Sequence, residues 1–129
     1  MINNRHGFTL IEFLVAIVIL MVGLLGMLQA VNVAMDKNLE TAFRTEAIML
    51  ADDVMMRTRT SSYDSVAVTV PSPPATGVSR AVQGIFKNYS VQQIVKQPTT
   101  QSKEIIINVR WRKKNASYTH SLSSVITTY

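Results

Sequence analysis

The side chains able to do chemistry in this chain fall into three groups, far apart in sequence. The first is a carboxylate, Glu12, just inside the start of an apolar run that is otherwise broken only by Thr9. Residues 13–28 carry no polar side chain. Glu12 therefore borders a low-dielectric medium, where a carboxylate interacts strongly with any cation that meets it. The second group is basic: Arg110, Arg112, Lys113 and Lys114 around Trp111. Such a cluster could contact a polyanion, whether nucleic acid or acidic lipid headgroups, or form a solvated strand end. The third group, from which catalytic sites are assembled, is thin. There is no cysteine, which excludes a disulfide, a thiolate zinc site and a Cys nucleophile. His6 and His120 are the two histidines. Two histidines far apart in sequence, among scattered serines, make no triad, and Asp52-Asp53 reads as an exposed helix pair rather than a metal site. The expectation is a chain with no catalytic residues, no metal and no cofactor.

The elements that carry these groups differ sharply in composition. The chain has 129 residues and a net charge of +5, enough for one domain. From Ser61 onward eight Lys/Arg face two acids, Asp64 and Glu104, whereas residues 32–60 hold four bases and five acids. The apolar residues crowd the first third. Phe8 to Leu28 spans 21 positions, and a helix needs roughly 20 to cross a bilayer. Arg5 is the only charge before it, so the expected orientation is N-terminus in the cytoplasm and the rest exported. An ordinary signal peptide has an apolar core of about 7–15 residues followed by a small-residue cleavage site. This run is too long, and Gln29-Ala30-Val31-Asn32 is a poor site. A plain single-pass anchor fits the length but leaves Glu12 unexplained, since a carboxylate at a membrane centre costs about 2.5–3.5 kcal/mol.

Arg5-His6-Gly7-Phe8-Thr9-Leu10-Ile11-Glu12 resembles the prepilin-peptidase site of type IV pilins and type II secretion pseudopilins: a basic leader, Gly, an aromatic, small or apolar residues, Glu, then a long apolar run. The resemblance implies cleavage between Gly7 and Phe8 by a prepilin peptidase and N-methylation of the new N-terminal Phe8. It also implies a filament-assembly and register role for Glu12, with Thr9 beside it. In this family the acid is thought to pair with the N-terminal amine of a neighbouring subunit. The alternative is that Glu12 snorkels to the interface or is protonated.

Within the family, major pilins usually carry a helix-breaking proline in this segment, whereas the first proline here is Pro71. The run Val22-Gly23-Leu24-Leu25-Gly26 followed by Leu28-Gln29-Ala30, and the later stretch from Ala47 to Arg57, resemble V-type minor pilins and I-type pseudopilins instead. Gly23 and Gly26 either let neighbouring helices approach or mark a weak point in the helix, each costing about 1 kcal/mol relative to Ala.

From Ala30 the pattern becomes amphipathic. Leu39, Phe43, Ala47, Leu50 and Val54 share one helical face. Glu40/Arg44 and Asp53/Arg57 stand at i,i+4 in the favoured order. Phe8 to about Thr60 thus reads as one helix, with Met49, Met55 and Met56 as packing residues. Residues 61–65 read as its exit, Val66 to Val70 as a short strand, and Pro71 to Gly77 as a loop. Tyr89 to Val95 reads as a strand. Ile105, Ile107, Val109 and Trp111 alternate with Ile106, Asn108, Arg110 and Arg112, and after a turn at Lys113–Ala116, Tyr118, His120, Leu122, Ser124 and Ile126 alternate with Thr119, Ser121, Ser123 and Val125. This is a C-terminal hairpin. Residues 76–86 have no clear pattern. The expected fold is α+β and pilin-like: one long N-terminal helix, transmembrane then amphipathic, on a small antiparallel sheet of three or four strands. The expected organisation is a leader at 1–7, a membrane or filament-core helix at 8–30, an amphipathic helix at 31–60 and a β-rich head at 61–129. The implied partners are other minor and major pilins, the prepilin peptidase, the inner membrane and the pilus assembly platform, with nucleic acid as a further candidate. The implied location is the bacterial inner membrane, head periplasmic, and then a surface pilus. Motility, adhesion, DNA uptake and type II secretion are all open as the filament's task.

Overall fold

The computed structural model describes residues 8–69 and 73–128. Arg5, His6 and Gly7 of the leader lie outside the described residues, as do Val70, Pro71 and Ser72 of the proposed strand and loop. The chain divides into two compact units, residues 1–38 and 39–129. Helix α1, Leu10–Thr60, is unbroken.

In the first unit every described residue from Phe8 to Met35 except Ile17 is exposed. The helix begins at a threonine cap. The Glu12 amide donates to the Thr9 carbonyl at 3.1 Å and to Thr9 Oγ1 at 3.3 Å, and the Phe13 amide donates to the same carbonyl at 3.2 Å. A helix start leaves four amides without intrahelical partners, and an N-cap hydroxyl satisfies one of them. The helix continues through Gly23 and Gly26, where a Cβ would meet nothing within 4 Å.

The second unit is a four-stranded antiparallel sheet in the order β1-β2-β3-β4, with the amphipathic part of α1 on one face. The strands are β1 (Thr76–Val82), β2 (Ile85–Thr99), β3 (Ser102–Lys113) and β4 (Ala116–Thr127). This is the α+β pilin-like architecture expected. The predicted stripe is the buried face of the helix. Phe43, Ala47 and Leu50 are buried, joined by Ala51, Met55 and Thr58, while Leu39 and Val54 flank the core. Ala47 and Ala51 are wholly buried, since small side chains here bring the helix backbone close to the sheet. Met55 packs in the core, whereas Met49 and Met56 are exposed. On the sheet side the core is Val82 from β1, Tyr89, Val91 and Val95 from β2 and Ile105, Ile107, Val109 and Trp111 from β3. These alternate with outward residues, as period two requires.

Residues 76–86, which show no clear pattern in sequence, form β1 and a two-residue turn in which Gln83 (φ 49°) and Gly84 (φ 79°) are both left-handed, the backbone that matches a hairpin's twist. Two expectations need correction. The loop ends before Thr76, so Thr76 and Gly77 belong to an edge strand. Residues 66–69 form no strand. Instead the Thr69 amide donates to the Val95 carbonyl at 3.1 Å, and the Val95 amide donates to Thr69 Oγ1 at 2.9 Å. A side-chain hydroxyl thus stands where a strand would supply a carbonyl. Between Lys96 and Thr99 the β2–β3 register shifts. Pro98 lies inside the shift, and a residue without an amide hydrogen is tolerated in a sheet at such bulges.

Lys103 is a residue that the sequence reading misses. It takes the inward position on β3 and is 7% exposed. Its Nζ donates to the Tyr63 carbonyl at 2.7 Å and to the Val66 carbonyl at 2.8 Å, and lies 4.2 Å from the Tyr63 ring centroid. The cation ties the short 3-10 turn after α1, Tyr63–Ser65, to the sheet. Burying a charge is tolerable when it is hydrogen-bonded in this way.

Candidate functional site

At the N-terminal end the sequence Thr9-x-x-Glu12 places a threonine cap and a glutamate at the third helical position. That is the spacing of a capping box, and Glu12 also lies near the positive end of the helix dipole. The family resemblance singles out Thr9 and Glu12 but misses this local role, which their three-residue spacing encodes. Beyond them the helix presents apolar side chains all round: Phe13, Leu14, Val18, Leu20, Leu24 and Leu28 are each more than half exposed. Exposed apolar surface on this scale marks a membrane or protein contact. One helix, α1, is long and apolar enough to cross a membrane by length and composition. Phe8, just ahead of the cap, is 84% exposed.

A model of the prokaryotic N-terminal methylation motif matches residues 2–28. The chain carries a type IV pilin-like prepilin signal. Comparison with curated proteins and with solved structures gave no match. The matched stretch covers the whole apolar run from Phe8 to Leu28 and includes Gly7, Phe8, Thr9, Glu12, Gly23 and Gly26. The prepilin signal and the apolar helix behind it fit membrane anchoring.

In the head, the four residues of the basic cluster do not share one face. Arg110 and Arg112 point outward from β3 and are exposed, while Trp111 between them is buried. Lys113 has inward parity: its side chain is 10% exposed and its Nζ lies 3.8 Å from Glu40 on the helix. Lys114 sits in the β3–β4 turn at φ 54°. A second helix carboxylate, Glu46, lies 3.8 Å from Arg80 on β1. Both pairs link the near-neutral helix to the basic sheet; each is loose and partly exposed, worth about 0–1 kcal/mol. The expected Asp53–Arg57 pair forms at 3.1 Å.

Arg110 and Arg112 have company that the sequence did not reveal. Ser90 on β2 is the register partner of both Arg110 and Gly77. With Asn88 and Phe86 these residues line a shallow groove of about 610 Å³ on the outer face of the sheet. Phe86 is 79% exposed.

Tyr89, on the inner face, donates its hydroxyl to the Phe43 carbonyl at 3.1 Å. Burial, and secondarily the negative charge of Glu46, push its pKa up from about 10 to about 12. The fold therefore favours the neutral phenol. That contribution is complete below the unfolded value and is lost as pH rises through the folded one. Stability should fall between about pH 10 and pH 12, and Tyr89→Phe should flatten this fall while lowering stability at neutral pH. Thermal denaturation of both proteins across that range, followed by circular dichroism, checks it. An equal alkaline slope in the variant would assign the fall to other groups.

Proposed function

We propose that the chain is a minor pilin, a structural subunit that enters a priming or tip complex from which a type IV filament grows. What carries this reading is the prepilin signal placed directly ahead of an exposed apolar helix on a chain with a pilin-like head. In this reading the peptidase cuts between Gly7 and Phe8, Phe8 is N-methylated, and the apolar helix holds the subunit in the inner membrane until it packs among other pilins. Gly23 and Gly26, with open space around them, let neighbouring helices approach. The missing proline and the near-neutral lower helix favour a minor over a bulk subunit; an I-type pseudopilin of a secretion system shares these features and is the nearest alternative. The chain makes and breaks no bond and needs no cofactor.

Mass spectrometry of the protein from its native membrane tests the reading. The expected mature chain begins at N-methyl-Phe8. A chain beginning at Met1 in cells that make the peptidase would overturn it.

The outer groove supports a second reading, in which the head contacts a polyanion such as single-stranded nucleic acid. An exposed aromatic beside two guanidinium groups combines stacking with charge, and base stacking on an aromatic is worth about 1–3 kcal/mol. Arg110→Glu with Arg112→Glu should abolish retention on immobilised single-stranded DNA, and Phe86→Ala should weaken it about tenfold or more. Unchanged retention would remove this reading and leave the structural one intact.

A further inference from the structure

We propose that the open edge of β4 is a docking site for an extended strand of a different chain, added antiparallel to β4. The backbone register fixes which groups are on offer. The Thr128 amide donates to the Gln101 carbonyl at 3.0 Å, so these two residues are a hydrogen-bonded pair. From there β3 and β4 pair without a shift, Ser102↔Thr127 through to Lys113↔Ala116. Hydrogen-bonded and non-hydrogen-bonded pairs alternate along an antiparallel ladder. The even-numbered residues of β4 therefore bond to β3. The odd-numbered ones, Ser117, Thr119, Ser121, Ser123, Val125 and Thr127, turn both amide and carbonyl to the open side. All six are exposed.

The opposite edge is built differently. Carried through β2, the same alternation leaves only Gly77, Ser79 and Ala81 of the seven-residue β1 facing outward. Beyond β1 the flank of β2 is occupied by Thr69 on Val95, and by Pro73, whose carbonyl accepts from Gln92 Nε2 at 2.7 Å. Proteins commonly blunt long edges with lysine, proline or a bulge. β4 has twelve residues with no charged residue, no proline and no register shift. Its inner row is also unfinished. Ile107 on β3 is wholly buried, yet its partner Leu122, together with Tyr118 and Ile126, is only partly so. A strand with apolar side chains at alternate positions would complete that burial.

A copy of this chain fits poorly. The head from Leu39 onward carries eleven bases and six acids, so two heads repel. The β1 edge of a second copy is short, with three open residues, and would leave most of the twelve-residue β4 edge uncovered. A longer strand, neutral or acidic on its polar face, suits the site. The use of native membranes in the test rests on the membrane-anchored reading; the open edge does not.

Amide hydrogen exchange on the full chain tests the proposal, in native membranes and after purification in detergent. In detergent the six odd-numbered amides should exchange fast and their even-numbered neighbours slowly. In native membranes the six should slow about tenfold or more. Ser121→Pro with Ser123→Pro should keep the melting temperature, because those amides make no ladder bond, and should abolish the slowing. Leu122→Pro, which removes a ladder bond, should unfold the hairpin and so confirms the register. Equal exchange in membrane and detergent would overturn the proposal. So would slowing that depends on the concentration of purified protein, which would mean pairing between copies. The N-terminal mass from the same membranes reads the processing separately.

Discussion

Trp111→Ala is expected to destabilise the head by about 3–5 kcal/mol, the range for emptying a large aromatic site. Trp111 is 5% exposed and sits between two tyrosines. Its ring centroid lies 5.7 Å from that of Tyr118, nearly parallel at 16°, and 6.1 Å from that of Tyr89, tilted by 52°. Both distances fall in the favourable range for aromatic pairs. The cavity would open beside Tyr89, whose hydroxyl holds the helix through the Phe43 carbonyl, so Tyr89 cannot collapse into it without breaking that bond. Trp111→Phe keeps one ring and should cost about half as much. Denaturant unfolding of the full chain, followed by far-ultraviolet circular dichroism, gives both values. A loss under about 1 kcal/mol for the alanine variant would mean that the site closes up and that the stack is not central to the head.

The residues that can be read from sequence are those whose role is local. The alternation of β3 and β4 follows from period two alone, because both strands have one face on the core and one in water. β1 escapes because only Val78 and Val82 are apolar among its four residues of inward parity, Thr76, Val78, Arg80 and Val82, and because its turn uses Gln83-Gly84 rather than the Asn-Gly or Asp-Gly pair that signals a hairpin. Lys103 shows a different limit. Extending the parity of Ile105 and Ile107 back one step places it inside, but its partners are two carbonyls of the helix-exit segment, and no local pattern encodes that meeting. The basic cluster fails in the opposite way. Parity separates Arg110 and Arg112 from Lys113, and only adjacency in sequence groups the four. Glu40, which pairs with Lys113, is 73 positions earlier in the chain. The prepilin signal is legible because a peptidase reads it as linear sequence, before any tertiary contact matters.

Glu12 decides between two physical roles, and substitution by two different residues separates them. Under the assembly reading its charge pairs with the N-terminal amine of a neighbour, in a low-dielectric setting where each group offsets the desolvation of the other. Under the local reading it is the third helical residue behind the Thr9 cap, whose Oγ1 accepts from the Glu12 amide. Glutamine serves a capping box as well as glutamate does but carries no charge. Glu12→Ala should leave cleavage after Gly7 largely intact and reduce entry into filaments about tenfold or more, the scale of losing a buried charge partner. Glu12→Gln should be equally defective if the charge matters and near normal if the cap does. Thr9→Ala removes the cap alone and should cost the helix about 1 kcal/mol with incorporation largely kept. Quantifying the variant protein in sheared filaments against that left in the membrane reads all three. Full incorporation of Glu12→Gln would end the ion-pair argument, because glutamine can still complete the cap but cannot hold an ammonium in an apolar interface.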